Sequence, residues 1–129
     1  MQGVKAMNRL IDVKKQKVFS FEATPSDLNA VEERFDFESV PFIKGEFTIR
    51  RDDSVIPCLV LEGNVTSSVK HNNQDINVED KIELYLVKHE DDIEKFDIQQ
   101  DVEILEDDKI NIGEVIAQYI YLNVTNSDE

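Results

Sequence analysis

The side chains able to carry out chemistry are few in this chain, and they are spread along it. His71 and His89 are the only histidines, and Cys58 is the only cysteine. No serine, cysteine or aspartate is arranged near either histidine as a nucleophile–base pair, so both are interpreted as ordinary surface histidines. Cys58 lies in an apolar run and is interpreted as a small buried hydrophobe. The four glycines are not grouped, which excludes a Gly-rich phosphate cradle. The sequence therefore predicts neither an enzyme, nor a cofactor, nor a small-molecule substrate.

Two acidic clusters are the more informative polar feature. They lack the alternating ligands and central glycine of a calcium loop, so no specific metal site is predicted. Residues 75–108 hold fourteen acidic side chains against three lysines, a net charge of −11. Such a field suits a basic protein partner, although acids that only keep the protein soluble would produce the same pattern. The candidate partner-binding residues are Glu90, Asp91, Asp92, Glu94, Glu106, Asp107 and Asp108.

Basic side chains are scarcer and concentrate near the N-terminus. The chain has 14 Lys and Arg against 28 Asp and Glu, a formal net charge of −14, whereas residues 1–17 carry five basic residues against one acid, a net of +4. Most of the molecule would repel a polyanion such as RNA, so any RNA contact must use a local basic patch. The candidate RNA-contact residues are Lys14, Lys15, Lys17, Arg50 and Arg51.

The length of 129 residues predicts one domain. We expect a flexible N-terminus over residues 1–8, the domain over 9–125 and a flexible tail over 126–129. No apolar run approaches the roughly 20 residues that a membrane-spanning helix requires. The N-terminal residues are basic but lack the apolar stretch of a signal peptide. We therefore expect a cytoplasmic protein without membrane contact.

The first half of the chain predicts one helix followed by a long hairpin. Thr24 as N-cap and Pro25 at the first helical position begin a helix that we expect to end at Phe35. Alternating apolar residues predict strands. Inside the second strand of the hairpin, Gly63 favours a bend or bulge, and Pro57 favours an edge or a bulge. The predicted strands here are 9–13, 17–22, 42–51 and 55–70, the last two joined by a turn at 52–54.

The second half predicts more strands and a closing helix. The predicted elements are a polar turn at 71–75, a returning strand at 76–88, a loop at 89–92, a short strand at 102–105 and a turn at 106–108. For residues 93–98, periodicity does not decide between a helical turn and a strand. Five apolar residues (Ile112, Val115, Ile116, Tyr119 and Ile120) then share one face of a helix over 112–124. Asn111 would cap this helix, with Glu114 completing a capping-box-like pair.

These elements predict an α+β fold, in which two helices cover the apolar face of a curved, mostly antiparallel sheet. The long hairpin strand is apolar on both faces before Gly63 and on one face after it, so it should be buried on two sides first and on one side later. Gly63 and Pro57 leave open the closure of the sheet into a partial barrel.

Three separated segments resemble the YceD family. Residues 19–35 (FSFEATPSDLNAVEERF) resemble its segment in which a strand and Ala-Thr-Pro lead into a helix ending Glu-Arg-Phe. Residues 63–69 (GNVTSSV) look like its Gly-x-Val-x-Ala-x-Val strand, and residues 110–122 (INIGEVIAQYIYL) resemble the start of its Ile-Asp-Leu-Gly-Glu helix. The order and spacing agree over roughly residues 9–124. The residues that carry the resemblance are Thr24, Pro25, Arg34, Phe35, Gly63, Val65, Gly113 and Glu114.

The resemblance implies a non-enzymatic bacterial ribosome-biogenesis factor, because the family is described as large ribosomal RNA subunit accumulation proteins. Its partners would be a basic ribosomal protein, large-subunit ribosomal RNA, or both. The cysteines that many members carry after the central strand and near the C-terminus are absent here, so a thiol-dependent role would not transfer. Two alternatives remain open: an acidic protein-interaction module unrelated to ribosome assembly, suggested by charge alone, and a carboxylate-based hydrolase, suggested only by the number of acids.

Overall fold

A computed structural model describes residues 9–127, and side chains up to residue 125. The expected flexibility of residues 1–8 falls outside the described residues. The helices are α1 (Pro25–Phe35) and α2 (Ile112–Ser127), with a 3₁₀ helix over Glu90–Lys95. The strands are β1 (Leu10–Asp12), β2 (Val18–Glu22), β3 (Ser39–Asp52), β4 (Cys58–His71), β5 (Gln74–Val87), β6 (Asp101–Ile104) and β7 (Lys109–Asn111).

Five of the strands form one open sheet in the order β2-β3-β4-β5-β6. All neighbours are antiparallel except β6, which runs parallel to β5. β1 and β7 form a separate antiparallel pair. The prediction of an α+β fold with a mostly antiparallel sheet and two helices is confirmed, whereas closure of the sheet into a barrel is wrong because β2 and β6 end it as unpaired edges.

The main core lies on the sheet face that α1, α2 and the β1–β7 pair cover. Alternate residues of the long strands point into it, including Ile43, Leu61 and Ile82, each at most 1% exposed. A smaller cluster lies on the opposite face at one end of the sheet, where Val60 and Tyr85 pack with Phe96. The first half of β4 is therefore buried on both faces and its second half on one, as predicted.

The start of α1 follows its sequence signals closely. The backbone N–H of Asp27 donates to Thr24 Oγ1 at 3.3 Å, and the Asp27 carboxylate accepts from the Thr24 N–H at 3.1 Å, a reciprocal capping box. Pro25 occupies the first turn, and the helix ends at Asp36, whose φ of 59° places it in the left-handed region. The predicted helix 25–35 is confirmed residue for residue.

The closing helix α2 differs from its prediction at both ends. The N–H of Glu114 donates to Asn111 Oδ1 at 3.3 Å, so the predicted cap exists, but the Glu114 carboxylate pairs with Arg34 on α1 instead of closing a capping box. The helix also continues to Ser127, three residues beyond the predicted end at 124. Ile116 and Ile120 are fully buried, which confirms the predicted apolar face.

Two predictions about the central hairpin are wrong. Gly63 is neither bent nor bulged: it pairs in register with Phe47 on β3, and the single register shift between these two strands lies between Ser39 and Phe42. The Phe47 ring lies directly over Gly63, so the glycine serves close packing. Pro57 lies in the loop before β4 rather than within a strand, which removes the need for an edge or a bulge at that position.

Candidate partner-binding groove

A groove of about 520 Å³ opens where β6 and β7 diverge beside the first turns of α2. The chain leaves β6 through a tight turn, at which Glu106 and Lys109 form an isolated bridge, and the two strands then separate. β7 turns away because it pairs with β1, while β6 stays beside β5. The groove is lined by Leu10, Glu103, Ile104, Glu106, Asp107, Lys109, Ile110, Asn111, Glu114, Val115 and Gln118.

The turn at the closed end of the groove has an unusual sequence for its backbone. Asp107 and Asp108 have φ values of 52° and 59°, as in a two-residue type I′ turn. Asn-Gly satisfies this geometry best, because glycine carries no Cβ and asparagine tolerates the left-handed region. Two adjacent carboxylates add mutual repulsion at the same place. The turn therefore presents negative charge where backbone geometry alone would favour neutral residues.

The electrostatic character of the groove is strongly acidic. Four of its lining residues are acids (Glu103, Glu106, Asp107 and Glu114), and Lys109 is its one basic residue. Partial burial raises the pKa of Glu103, since removal from water disfavours the carboxylate. A cation entering the groove would replace some of that lost solvation. The site is thus suited to positively charged groups.

One wall of the groove is fixed by a contact between the two helices. Arg34 of α1 and Glu114 of α2 form an ion pair in which both side chains are about three-quarters buried. The second oxygen of this carboxylate, Oε1, is buried and accepts no hydrogen bond from the described residues. Arg34 also lies over the ring of Phe35, 5.0 Å from its centre. These contacts hold Glu114 at the groove with one acceptor unused.

A second contact ties α2 to the edge strand β6. The Tyr119 hydroxyl donates to the Asp101 carboxylate. Burial, followed by this hydrogen bond and the charge of Asp101, raises the pKa of Tyr119, so it stays protonated as a donor. Tyr119 therefore ties α2 to β6, the helix and the edge strand that both contribute residues to the groove.

The two predicted acidic clusters do not share one surface. Glu106 and Asp107 line the groove, whereas the cluster 90–94 forms the 3₁₀ helix beside the smaller apolar cluster. Asp108 points away from the groove and pairs with Lys14 at 3.0 Å. Asp92 and Asp108 instead line a second cavity, of about 360 Å³, which Cys58 also lines. Burial, with a smaller effect of neighbouring aspartates, raises the pKa of Cys58, so its thiolate is disfavoured.

Most of the predicted RNA-contact residues have acidic or backbone partners. Arg50 pairs with both Asp52, at 3.0 Å, and Glu62. Its pKa is raised by these two hydrogen bonds, and hydrogen bonds from Ser54 and Arg50 lower the pKa of Asp52 to about 2. Lys14 pairs with Asp108 at 3.0 Å, and Arg51 pairs with Asp53 at 3.4 Å. Lys17 Nζ donates a hydrogen bond to the Val13 carbonyl at 2.9 Å. Lys15 is exposed. Three of the five residues (Lys14, Arg50 and Arg51) are therefore paired with carboxylates, whereas the partner of Lys17 is a neutral carbonyl.

Sequence reasoning missed several groove residues. Glu103 and Ile104 lie in β6, and Leu10 and Val115 come from opposite ends of the chain. A weak signal was available for Glu103, since strand alternation places it and Asp101 on the same face as the core residues Leu84 and Leu86 of β5. Acids on an inward face of a strand mark an edge or a site. No local signal could bring Leu10 to the groove.

Comparisons with known proteins identify no relative: no family model, no curated protein and no solved structure matches this chain. Over residues 9–127, no helix is long and apolar enough to cross a membrane. Among the described residues, no group of three or more His, Cys, Asp or Glu side chains is arranged to hold a metal ion.

Proposed function

We propose that this protein is a non-enzymatic ribosome-biogenesis factor that supports accumulation of large-subunit ribosomal RNA by binding a basic ribosomal protein. The observation that carries the binding mode is the acidic groove between β6, β7 and α2, whose lining holds Glu103, Glu106 and Asp107 against Lys109, in addition to Glu114, which is paired with Arg34. The resemblance of three ordered segments to the YceD family supplies the biological setting. A protein partner is favoured over RNA because most candidate RNA-contact cations already have partners.

The positions of the resembling segments are consistent with one structural unit. Arg34 in the first segment pairs with Glu114 in the third, and Gly63 in the second lies beneath the Phe47 ring. The third segment also supplies one wall of the groove through Glu114 and Val115. The third segment therefore contributes directly to the proposed binding surface, and the first contributes through the pairing of Arg34 with Glu114.

Depletion of the protein tests the biological part of the proposal. Mature large-subunit ribosomal RNA should fall relative to small-subunit RNA, and wild-type protein should restore it. A double charge reversal in the groove, Glu106→Lys with Asp107→Lys, should fail to restore it. Glu46→Lys with Glu79→Lys, on the exposed outer face of the sheet, changes net charge equally and should restore it. Unchanged RNA after depletion would contradict a role in ribosome biogenesis.

Co-purification at about 0.1 M and about 0.5 M salt separates specific from charge-driven contacts. Basic ribosomal proteins should remain bound at the higher salt and be lost from the groove variant. A set of non-ribosomal partners that depends on the same groove acids would instead favour an acidic interaction module outside ribosome assembly. Ribosomal RNA retained without protein would overturn the preference for a protein partner.

A further inference from the structure

We propose that the groove receives an extended basic peptide segment, which adds as a strand to the unpaired edge of β6. The inference rests on the proposed function for the source of the partner, but it specifies the form of the ligand: an extended segment recognised by its backbone as well as by its charge. Addition of a peptide strand to an exposed sheet edge is a general mode of recognition, in which backbone hydrogen bonds supply affinity and side chains supply specificity.

The orientation of backbone groups along β6 follows from one hydrogen bond. The N–H of Leu105 donates to the Val87 carbonyl at 2.7 Å, so Leu105 faces β5. Backbone groups alternate along a strand, so those of Glu103 also face β5, and those of Val102 and Ile104 face the open edge. β6 is the last strand of its sheet. Within residues 9–127, the backbone groups of Val102 and Ile104 on this edge are thus left without a strand partner, and Ile104 also lines the groove.

The groove beside this edge is shaped for a chain with alternating side chains. Apolar surface is available on both sides, since Ile104 is 36% exposed and Leu10 is 68% exposed. Val115 and Gln118 of α2 form the wall opposite the strand, so the groove lies between a strand edge and a helix. An added strand would direct alternate side chains toward the helix wall and away from it.

The acidic residues that line the groove favour a positively charged peptide. Glu103 lies on β6 itself, and Glu106 and Asp107 close the end of the groove, so lysine or arginine on an added strand would meet carboxylates along its length. Partial burial already raises the pKa of Glu103, so a cation beside it would stabilise its ionised form. An acidic peptide would be repelled by the same residues.

Fluorescence anisotropy with short synthetic peptides tests strand addition on the full-length protein. A labelled peptide of alternating lysine and valine should bind. The same peptide with N-methyl groups on alternate backbone nitrogens should bind about tenfold or more weakly, because one edge can no longer donate hydrogen bonds. A glutamate–valine peptide should not bind. Equal affinity for the methylated and unmethylated lysine peptides would overturn strand addition, and so would absence of binding by the unmethylated one.

A backbone substitution provides the matching test on the protein side. Ile104→Pro removes an N–H that faces the open edge, while Glu103 and Leu105 keep the N–H groups that face β5. Ile104→Pro should lower the affinity for the lysine–valine peptide about tenfold, whereas Ile104→Ala, which keeps the N–H, should lower this affinity less. Equal affinities of these two variants, with unchanged circular dichroism, would overturn the inference. If Ile104→Pro does not fold, the methylated peptide alone decides.

The two proposals fail in different ways. Loss of ribosomal proteins from the groove charge variant, together with equal binding of methylated and unmethylated peptides, would leave the proposed function intact and remove strand addition. Normal ribosomal RNA after depletion, together with backbone-dependent peptide binding, would remove the proposed function and support the strand-addition mode for another basic partner.

Discussion

At the scale of single residues, the pair formed by Arg34 and Glu114 is the clearest case of one contact serving both the fold and the groove. It joins the only two long helices of the described region, and each side chain is about one-quarter exposed. Removing one partner from a largely buried pair leaves the other charge without compensation, which costs more than the pair itself contributes. The same carboxylate lines the groove, so its position depends on α1.

We expect Arg34→Ala to reduce the free energy of unfolding by about 2 kcal/mol, because Glu114 would lose its charged partner and the contact of Arg34 with the Phe35 ring would be lost. Urea denaturation measures the change. Arg51→Ala, which breaks the exposed pair with Asp53, is the matched control and should stay within about 0.5 kcal/mol. The double variant with Glu114→Ala should cost less than the sum of the single variants. Additive losses would show that the two residues do not interact.

Glu103 predicts a pH dependence whose sign follows from its environment. Its pKa is raised in the folded state, so it favours folding when protonated, and this contribution is lost as the pH rises through the folded pKa. Glu103→Gln should therefore be slightly more stable than the wild type at pH 7, by at most about 0.3 kcal/mol because water screens this exposed carboxylate, and the gain should shrink near pH 4. Urea denaturation at the two pH values measures it. Glu79→Gln, on the outer sheet face, controls for net charge, and an equal gain from it would contradict the local explanation.

At the scale of elements, the long hairpin of β3 and β4 determines how the sheet packs. Phe47 pairs with Gly63 across the strands and stacks on Phe19, with ring centres 5.3 Å apart. An aromatic ring placed over a glycine on the neighbouring strand covers backbone that would otherwise lack side-chain contacts. Gly63 therefore serves close packing against the Phe47 ring rather than a bulge in β4.

We expect Gly63→Ala to destabilise the protein by about 2 kcal/mol or more, because the new Cβ would overlap the Glu46 carbonyl and the Phe47 ring. Thermal or urea denaturation measures the loss. Thr66→Ala in the same strand, on the exposed outer face, should change stability by less than about 0.5 kcal/mol. A neutral Gly63→Ala would contradict the packing role assigned to Phe47.

At the scale of the whole molecule, net charge and its placement affect stability and carry the proposal of a basic partner. A formal charge of −14 on 129 residues destabilises the compact state through self-repulsion, and the groove adds to this by placing acids close together. A basic partner bound there would relieve part of the repulsion. The acids are therefore costly in isolation and favourable in a complex.

We expect the melting temperature to rise by several degrees when salt increases from about 20 mM to about 0.5 M, because salt screens the repulsion. This rise corresponds to a gain in the free energy of unfolding on the order of 1 kcal/mol. Differential scanning calorimetry measures the shift. The groove variant Glu106→Lys with Asp107→Lys changes the formal charge from −14 to −10 and should show a smaller salt effect. A melting temperature that does not respond to salt would contradict this account.

The sequence by itself determined the α+β class, helix α1 with its Thr24 cap, the apolar face of α2 and the partly two-sided burial of β4. These follow from periodicity and from capping residues, which act over a few neighbouring positions. Only the tertiary structure decided that the sheet stays open, that Glu114 pairs with Arg34 rather than closing a cap, and that Asp108 faces Lys14 while Asp107 faces the groove. Each of these depends on which distant segments are packed together, and local patterns carry no information about such contacts. The charge of the groove could thus be anticipated from composition, whereas its walls, and the unpaired edge of β6 beside them, could not.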